Sequence, residues 1–186
     1  MIYVISDIHG NSKAFHSVLE QIQLTKNDTL YILGDVIDRH PSGIRLLRKI
    51  MAMPNAKMLL GNHEYMMLRA LGYPYDPYDP TSELIREDAT EHWYRNGGKV
   101  THDHWKRIRK SLRKEIIQYL LDLPLNIDVE VNGKPYKLVH GAPMDEYLNY
   151  PGNPSAIHFA VWKRWHRYDT FSGDFTMIFG HTPTKQ

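Results

Sequence analysis

The chain alternates short apolar runs with polar breaks, and the breaks carry most of the chemistry. Ile2–Ser6 has the length of a buried strand, and after a polar loop Ala14, Phe15, Val18, Leu19 and Ile22 recur at helical spacing, with Ser12 as the predicted N-cap. Leu30–Leu33 predicts a second buried strand ending at Gly34-Asp35. Ser42 then predicts the cap of a helix carrying Ile44, Leu47, Ile50 and Met51. Lys57–Leu60 predicts a third strand that also runs into glycine. Successive strand–loop–helix units imply an α/β sheet with parallel strands and right-handed crossovers.

The rhythm changes after residue 72. Tyr73-Pro74-Tyr75-Asp76-Pro77-Tyr78-Asp79-Pro80 cannot continue a helix, and Asn96-Gly97-Gly98 is a stop signal. Residues 72–123 therefore read as a helical and loop insertion within a single domain over 1–186, with its own helix around Ser82–Arg95. Trp105, Ile108, Leu112, Ile116, Tyr119, Leu120 and Leu123 predict a helix over Lys106–Leu123. Ile127–Val131 and Tyr136–Val139, joined across Asn132-Gly133, predict a hairpin in a second, antiparallel portion of sheet. A helix over Ser155–Trp165 and a strand over Phe175–Phe179, ending at Gly180-His181, complete the pattern.

Composition narrows what such a fold can do. With 186 residues, 42% hydrophobic and 24% charged, the chain has room for a sizeable core and is no disordered tail. No segment reaches the roughly 20 apolar residues that span a bilayer, and the run at Ile2–Ile5 stops at Asp7 without a basic flank, so a cytoplasmic location and no membrane partner are expected. The net charge is only +2. Its basic excess sits at Lys106, Arg107, Arg109, Lys110, Arg113 and Lys114, expected to be the solvated face of a helix, and no nucleic-acid partner is expected. Eleven histidines and no cysteine exclude disulfide scaffolds, thiolate catalysis and thiolate zinc sites. Any transition metal must then be held by imidazole, carboxylate and amide oxygen.

The polar residues fall where such a site would need them. Predicted strands end in Asp7 and His9, in Asp35, in Asn62 and His63, in His140 and in His181. Ligands of open α/β sheets bind beyond the carboxyl ends of the strands, so residues distant in sequence converge on one rim. The donors suit Mn²⁺, Fe or Zn²⁺ better than a Mg²⁺ or Ca²⁺ cage, and they exceed what one catalytic ion with open positions needs. Two ions bridged by one carboxylate is the economical reading.

Ser6-Asp7-Ile8-His9-Gly10, Gly34-Asp35-Val36-Ile37-Asp38-Arg39, Gly61-Asn62-His63-Glu64, His140-Gly141 and Gly180-His181-Thr182 resemble, in sequence and order, the motifs of calcineurin-like metallophosphoesterases. The resemblance is greatest to the phosphoprotein phosphatase branch with its bacterial and phage serine/threonine phosphatases. It extends through His92-Trp93, Asn96-Gly97-Gly98, Leu123-Pro124-Leu125 and Trp162-Lys163-Arg164 to nearly the whole chain. It implies a β-sandwich flanked by helices. It also implies that Asp7 and His9 bind a first metal, Asn62, His140 and His181 a second, and that Asp35 bridges both. The resemblance makes His63 the general acid, oriented and held protonated by Asp38, and makes Arg39 and Arg164 the phosphate ligands. The expected activity is hydrolysis of phosphomonoesters, on phosphoserine or phosphothreonine proteins or on small phosphoesters, by direct attack of a metal-bridging hydroxide, with Mn²⁺ as the first choice of metal.

Two other readings are weighed beside it. One is hydrolysis of symmetrical dinucleoside tetraphosphates by the same metal core, the other a non-catalytic metal-binding or phosphoprotein-docking module, which would have no need of Asp38, Arg39 and His63 together. Two features depart from the family pattern. His40 stands where glycine usually follows the arginine, and the chain ends five residues after His181, so the fold is expected to lack its C-terminal closing strands. His16, His102, His104, His158 and His166 read as surface or packing residues.

Overall fold

A computed structural model describes residues 1–73, 75, 86–166 and 168–183. Strands β1 (Ile2–Ile5), β2 (Thr29–Ile32) and β3 (Ala56–Met58) form a parallel sheet in that order. β4 (Asn126–Val131), β5 (Lys134–Val139) and β6 (Thr176–Phe179) form a second sheet, in which the β4–β5 hairpin is antiparallel and β5–β6 parallel. Asn132 and Gly133 turn the hairpin, both with positive φ, as an Asn-Gly turn requires.

The strand period of two sorts β2 between two cores. Leu30 and Ile32 face a helical side built around Phe15, Ile44, Leu47, Ile50 and Trp93. Tyr31 and Leu33 face the other way and pack with Leu59 and Leu138, with Val4, Ile127, Val129 and Ile178 around them. That second cluster draws on both sheets, so the sheets stack as a sandwich with helices outside the first.

Helices α1 (Ser12–Ile22) and α2 (Gly43–Met51) follow β1 and β2. α3 (Asn62–Ala70), α4 (Arg86–Arg95), α5 (Lys99–Trp105) and α6 (Lys110–Leu121) lie between β3 and β4, and α7 (Ala156–Trp162) precedes β6. Among the described residues no helix is long and apolar enough to cross a membrane.

Several boundaries differ from the sequence reading. Asn11 caps α1, its side chain accepting the Ala14 N–H at 3.0 Å, while Ser12 is the first helical residue. Ser42 is the N-cap of α2 but makes no side-chain cap bond; its Oγ accepts from Arg45 Nη2 at 2.8 Å. The helix expected over Lys106–Leu123 is instead a turn followed by α6. Arg113 bridges that turn by donating to the carbonyls of Lys106 (2.7 Å) and Ile108 (3.0 Å), satisfying groups that a helix break would otherwise expose. Ser155 caps α7 through the His158 N–H at 3.1 Å, but the helix stops at Trp162 rather than Trp165. The tyrosine–proline loop at 74 and 76–80, and the start of the helix expected from Ser82, lie outside the described residues.

Candidate metal centre

The loops after β1 and β2 run side by side beneath the site. Three backbone bonds join them: Asp7 N–H to Gly34 O (3.3 Å), His9 N–H to Asp35 O (2.8 Å) and Gly10 N–H to Val36 O (2.7 Å). Asp7, His9, Asp35, Asp38, Arg39 and His181 all have positive φ, between 46° and 71°. Such backbone costs about 1 kcal/mol or more at each residue and persists only where surrounding contacts over-determine it.

Glu64 supplies much of that determination. Its buried carboxylate accepts four backbone N–H groups, from Asp35 (2.8 Å), Val36 (2.9 Å), Ile37 (3.2 Å) and Gly61 (3.2 Å), at the start of α3. Burial pushes its carboxyl up to about 7, against these donors, which favour the ionised form. Gly61 is needed for the close approach: a Cβ there would lie 2.3 Å from Asp35 Oδ1 and 2.7 Å from Glu64 Oε2. Gly180 serves the same purpose at the far side, where a Cβ would stand 2.0 Å from Ser6 Oγ.

Asp35 is the residue on which the donors converge. His9 Nε2 lies 3.7 Å from its Oδ2, and His140 Nε2 lies 3.5 Å from its Oδ1. His140 Nε2 is also 2.9 Å from Asn62 Oδ1, and His9 Nε2 is 3.9 Å from Asp7 Oδ1. Donors sharing one ion through bonds of about 2.1 Å sit about 3.0 to 3.5 Å apart, so these groups fit divalent ions with little movement. His9, Asp35 and His63 form one set of donors within 4.8 Å of one another; Asp35, His140 and His181 form another. The His181 Nε2 is buried with no hydrogen-bond partner, and its N–H donates to Asp7 Oδ2 at 3.0 Å. An orphaned imidazole nitrogen turned into a cluster of carboxylates and histidines is what a metal ligand looks like before its ion is counted. Asp7 is held the least centrally, outside both sets, its Oδ2 taken up by the Ser6 hydroxyl (2.5 Å) and the His181 N–H.

The other nitrogens of the histidines fix the rings. His9 Nδ1 is 3.2 Å from Ile37 O, and His140 Nδ1 is 2.5 Å from Leu33 O, so a second-sheet residue is oriented by the first sheet. His63 Nδ1 meets Asp38 Oδ2 at 2.7 Å, and the same oxygen accepts the indole N–H of Trp93 at 2.8 Å. Thr101 Oγ1 accepts the Asp38 N–H at 2.9 Å. Asp38 is thus in direct contact with the His63 ring. Burial, then the neighbouring Arg39 guanidinium, push His63 down to about 3, against the protonated form expected from sequence. Arg39 Nη2 donates to His63 Nε2 at 3.3 Å, a contact that suits the neutral ring.

Burial acts in one sense across the centre. It pushes His9, His140 and His181 down to about 4, Asp38 up to about 6, and Asp35 well above the usual carboxylate range, the last reinforced by Glu64 and Asp7. Each of these groups is driven towards its neutral form, and divalent cations bound among them would favour the ionised carboxylates.

These residues line a cavity of about 420 Å³ whose walls include Asp7, His9, Asp35, Arg39, Asn62 and His63 together with Trp162, Arg164 and His181. Every sequence-predicted site residue except the fully covered Asp38 and His140 lines it directly. His40 does not: its Nδ1 lies 2.9 Å from His9 O, so it ties the first loop to the second. Asn96, at the end of α4, does line it. The sequence reading gave no role to Glu64, Trp93 or Thr101, although Glu64 and Trp93 both fall within motifs it quoted.

The chain is 36% identical over 101 residues to a symmetrical bis(5′-nucleosyl)-tetraphosphatase of Legionella pneumophila, a match covering 50% of this chain and 37% of that protein. It is 32% identical over 113 residues to the protein of the same name from Proteus mirabilis, covering 57% and 41%. The matched region thus spans about two fifths of the length of these curated relatives. A cold-active protein-tyrosine phosphatase of a psychrophilic Shewanella shares the fold, with a TM-score of 0.52 at 17% identity, over 97% of this chain and 67% of that one. With its sandwich, its loops and its donor cluster matched over residues 1–185, the chain belongs to the calcineurin-like phosphoesterase family.

Proposed function

We propose that this chain hydrolyses dinucleoside polyphosphates at a centre of two divalent ions held by Asp7, His9, Asp35, Asn62, His140 and His181. The observation that carries the substrate class is the 36% identity to a symmetrical bis(5′-nucleosyl)-tetraphosphatase, which favours this reading over the phosphoserine and phosphothreonine substrates expected from sequence. Members of the family use a dinuclear divalent metal centre. Such a centre, when bound, supplies Lewis acidity towards phosphoryl oxygens and a lowered pKa for water. Arg39 and Arg164 both line the cavity, and each offers a planar fork to a phosphoryl group. His63 Nε2 is the proton donor to the leaving oxygen, with Asp38 holding Nδ1 and Trp93 holding Asp38. A phosphoryl group that draws Arg39 away from Nε2 frees that atom and removes the cation that disfavours its proton.

The test is turnover with Mn²⁺ on diadenosine tetraphosphate, a phosphothreonine peptide and p-nitrophenyl phosphate, by wild type and His63→Asn. Diadenosine tetraphosphate is expected to lead in kcat/KM, with two molecules of ADP as product. A phosphate leaving group needs less help from an acid than an alkoxide does. His63→Asn is therefore expected to cost about 10²-fold or more on the peptide and less on the dinucleotide. Preference for the peptide overturns the substrate class, and no turnover of any substrate overturns the enzyme reading.

A further inference from the structure

A second cavity, of about 290 Å³, adjoins the metal-lined one, and Trp162 is a wall of both. Its other walls include Tyr65, Arg69, His92, Pro154 and His158. Two helices carry the lining from one cavity to the next. On α3, Asn62 and His63 line the first and Tyr65 and Arg69 the second, a run of about 9 Å along the helix axis from His63 to Arg69. On α7, His158 and Trp162 are one turn apart with their rings stacked, 5.9 Å between centroids at 21°. His92 stands edge-on to the same indole at 5.6 Å, and the Arg69 guanidinium lies over the Tyr65 ring at 5.5 Å.

We propose that this second cavity is a subsite for the nucleobase of the substrate, so that a nucleotide spans the Trp162 wall with its phosphates at the metal-lined cavity and its base among His92, His158 and Trp162. The inference rests on the dinucleoside polyphosphate reading and specifies it. A base presents a flat π-face to be stacked and a polar edge to be hydrogen-bonded. This cavity offers aromatic faces together with two imidazoles and a guanidinium. The histidines at 92 and 158, which the metal centre does not use, gain a function in this arrangement.

The experiment is calorimetric binding of adenosine 5′-(α,β-methylene)diphosphate and of the same molecule lacking its base, neither of which can be cleaved at the bridging position. Each is titrated into wild type, His92→Ala and His158→Ala in the presence of Mn²⁺, with thermal melts to establish that the variants fold. His92 is exposed, so its substitution leaves the core intact. The base is expected to strengthen binding about tenfold in wild type, from stacking. The two variants should each lose most of that ratio while binding the abasic probe within about twofold of wild type. A ratio near one in wild type, a ratio unchanged in both variants, or no measurable binding of either probe overturns the proposal. So does a phosphothreonine peptide that loses affinity in the variants while the base confers none. Hydrolysis of diadenosine tetraphosphate with a ratio near one would sink the subsite alone; a tenfold ratio without hydrolysis would sink the proposed activity alone.

Discussion

The two rims that bound the cavity are braced very differently. At the end of β2 and the start of α3, Asp35, Asp38, His63 and Glu64 are all buried, and the loop between them is tied down by Glu64, Trp93 and Thr101 and by Gly97 O, which accepts the Arg39 N–H. At the ends of β5 and β6, His140 is buried and pinned, but His181 is only partly covered and Arg164 is exposed. The first rim must hold carboxylates apart from water in a strained backbone, and nearly all of its polar groups are bound by neighbours, Asp38 Oδ1 excepted. The second closes over a site whose coordinates the first has set. Rigidity is concentrated where desolvated charge would otherwise reorganise.

Removing the central brace is expected to have the largest effect. Glu64→Gln keeps the shape of the side chain but turns an amide NH₂ towards two of the four donors, leaving N–H groups at the first rim without an acceptor. The expected cost is about 3 kcal/mol in urea unfolding, from unsatisfied buried donors. Activity should fall as well, because the backbone of Asp35 and Ile37 is what Glu64 holds. A loss below about 1 kcal/mol would mean that the backbone bonds between the first two loops suffice without it.

A second contrast concerns protons. Burial holds the Asp35 carboxyl well above its ordinary range, whereas it pushes His9, His140 and His181 down to about 4. The imidazoles are therefore neutral and ready to bind an ion at pH 6, and only carboxyl groups have protons to surrender. Binding of Mn²⁺ at pH 6 is expected to release protons from these carboxyl groups, with release falling as pH rises and the carboxyls ionise unaided. Calorimetry in buffers of different ionisation enthalpy measures this directly. Asp35→Asn should abolish the release, and His181→Asn should weaken Mn²⁺ binding without changing it. Identical heats in all buffers at pH 6 would place the proton elsewhere.

Legibility from sequence follows the same division. Strand ends and ligands could be read because each apolar run stops abruptly at a glycine or a polar pair, and six of the donors fall at those stops. The bracing could not be read, because its partners are backbone groups far along the chain. Glu64 accepts from N–H groups 27 to 29 residues away, and Trp93 reaches Asp38 across 55. The left-handed backbone at Asp7, His9, Asp35, Asp38, Arg39 and His181 left no trace either, since none of these positions is glycine. The helix predicted over Lys106–Leu123 failed for a related reason. Its apolar spacing continues in phase through a turn that the Arg113 side chain helps to stabilise by binding two of its carbonyls.

The smallest effect on stability and the cleanest on chemistry is expected at Arg164. Its side chain is exposed and makes no hydrogen bond or ion pair among the described residues, so Arg164→Ala should change unfolding free energy by no more than about 0.5 kcal/mol. Yet it lines the cavity, as Arg39 does, and would contribute a charge-assisted contact to a phosphoryl group, so kcat/KM should fall about tenfold or more. Arg164→Lys separates charge from shape: it keeps the cation but loses the planar fork, and should recover only part of the rate. Arg39 is the informative partner for comparison, because its guanidinium also touches His63 Nε2. Arg39→Ala should shift the alkaline limb of the pH profile of kcat upward as well as lower it, since the cation that pushes the His63 proton off is gone, while Arg164→Ala should lower the profile without moving that limb. If both arginines moved that limb equally, the second rim would be setting the proton chemistry along with the first, and the division of labour between them would not hold.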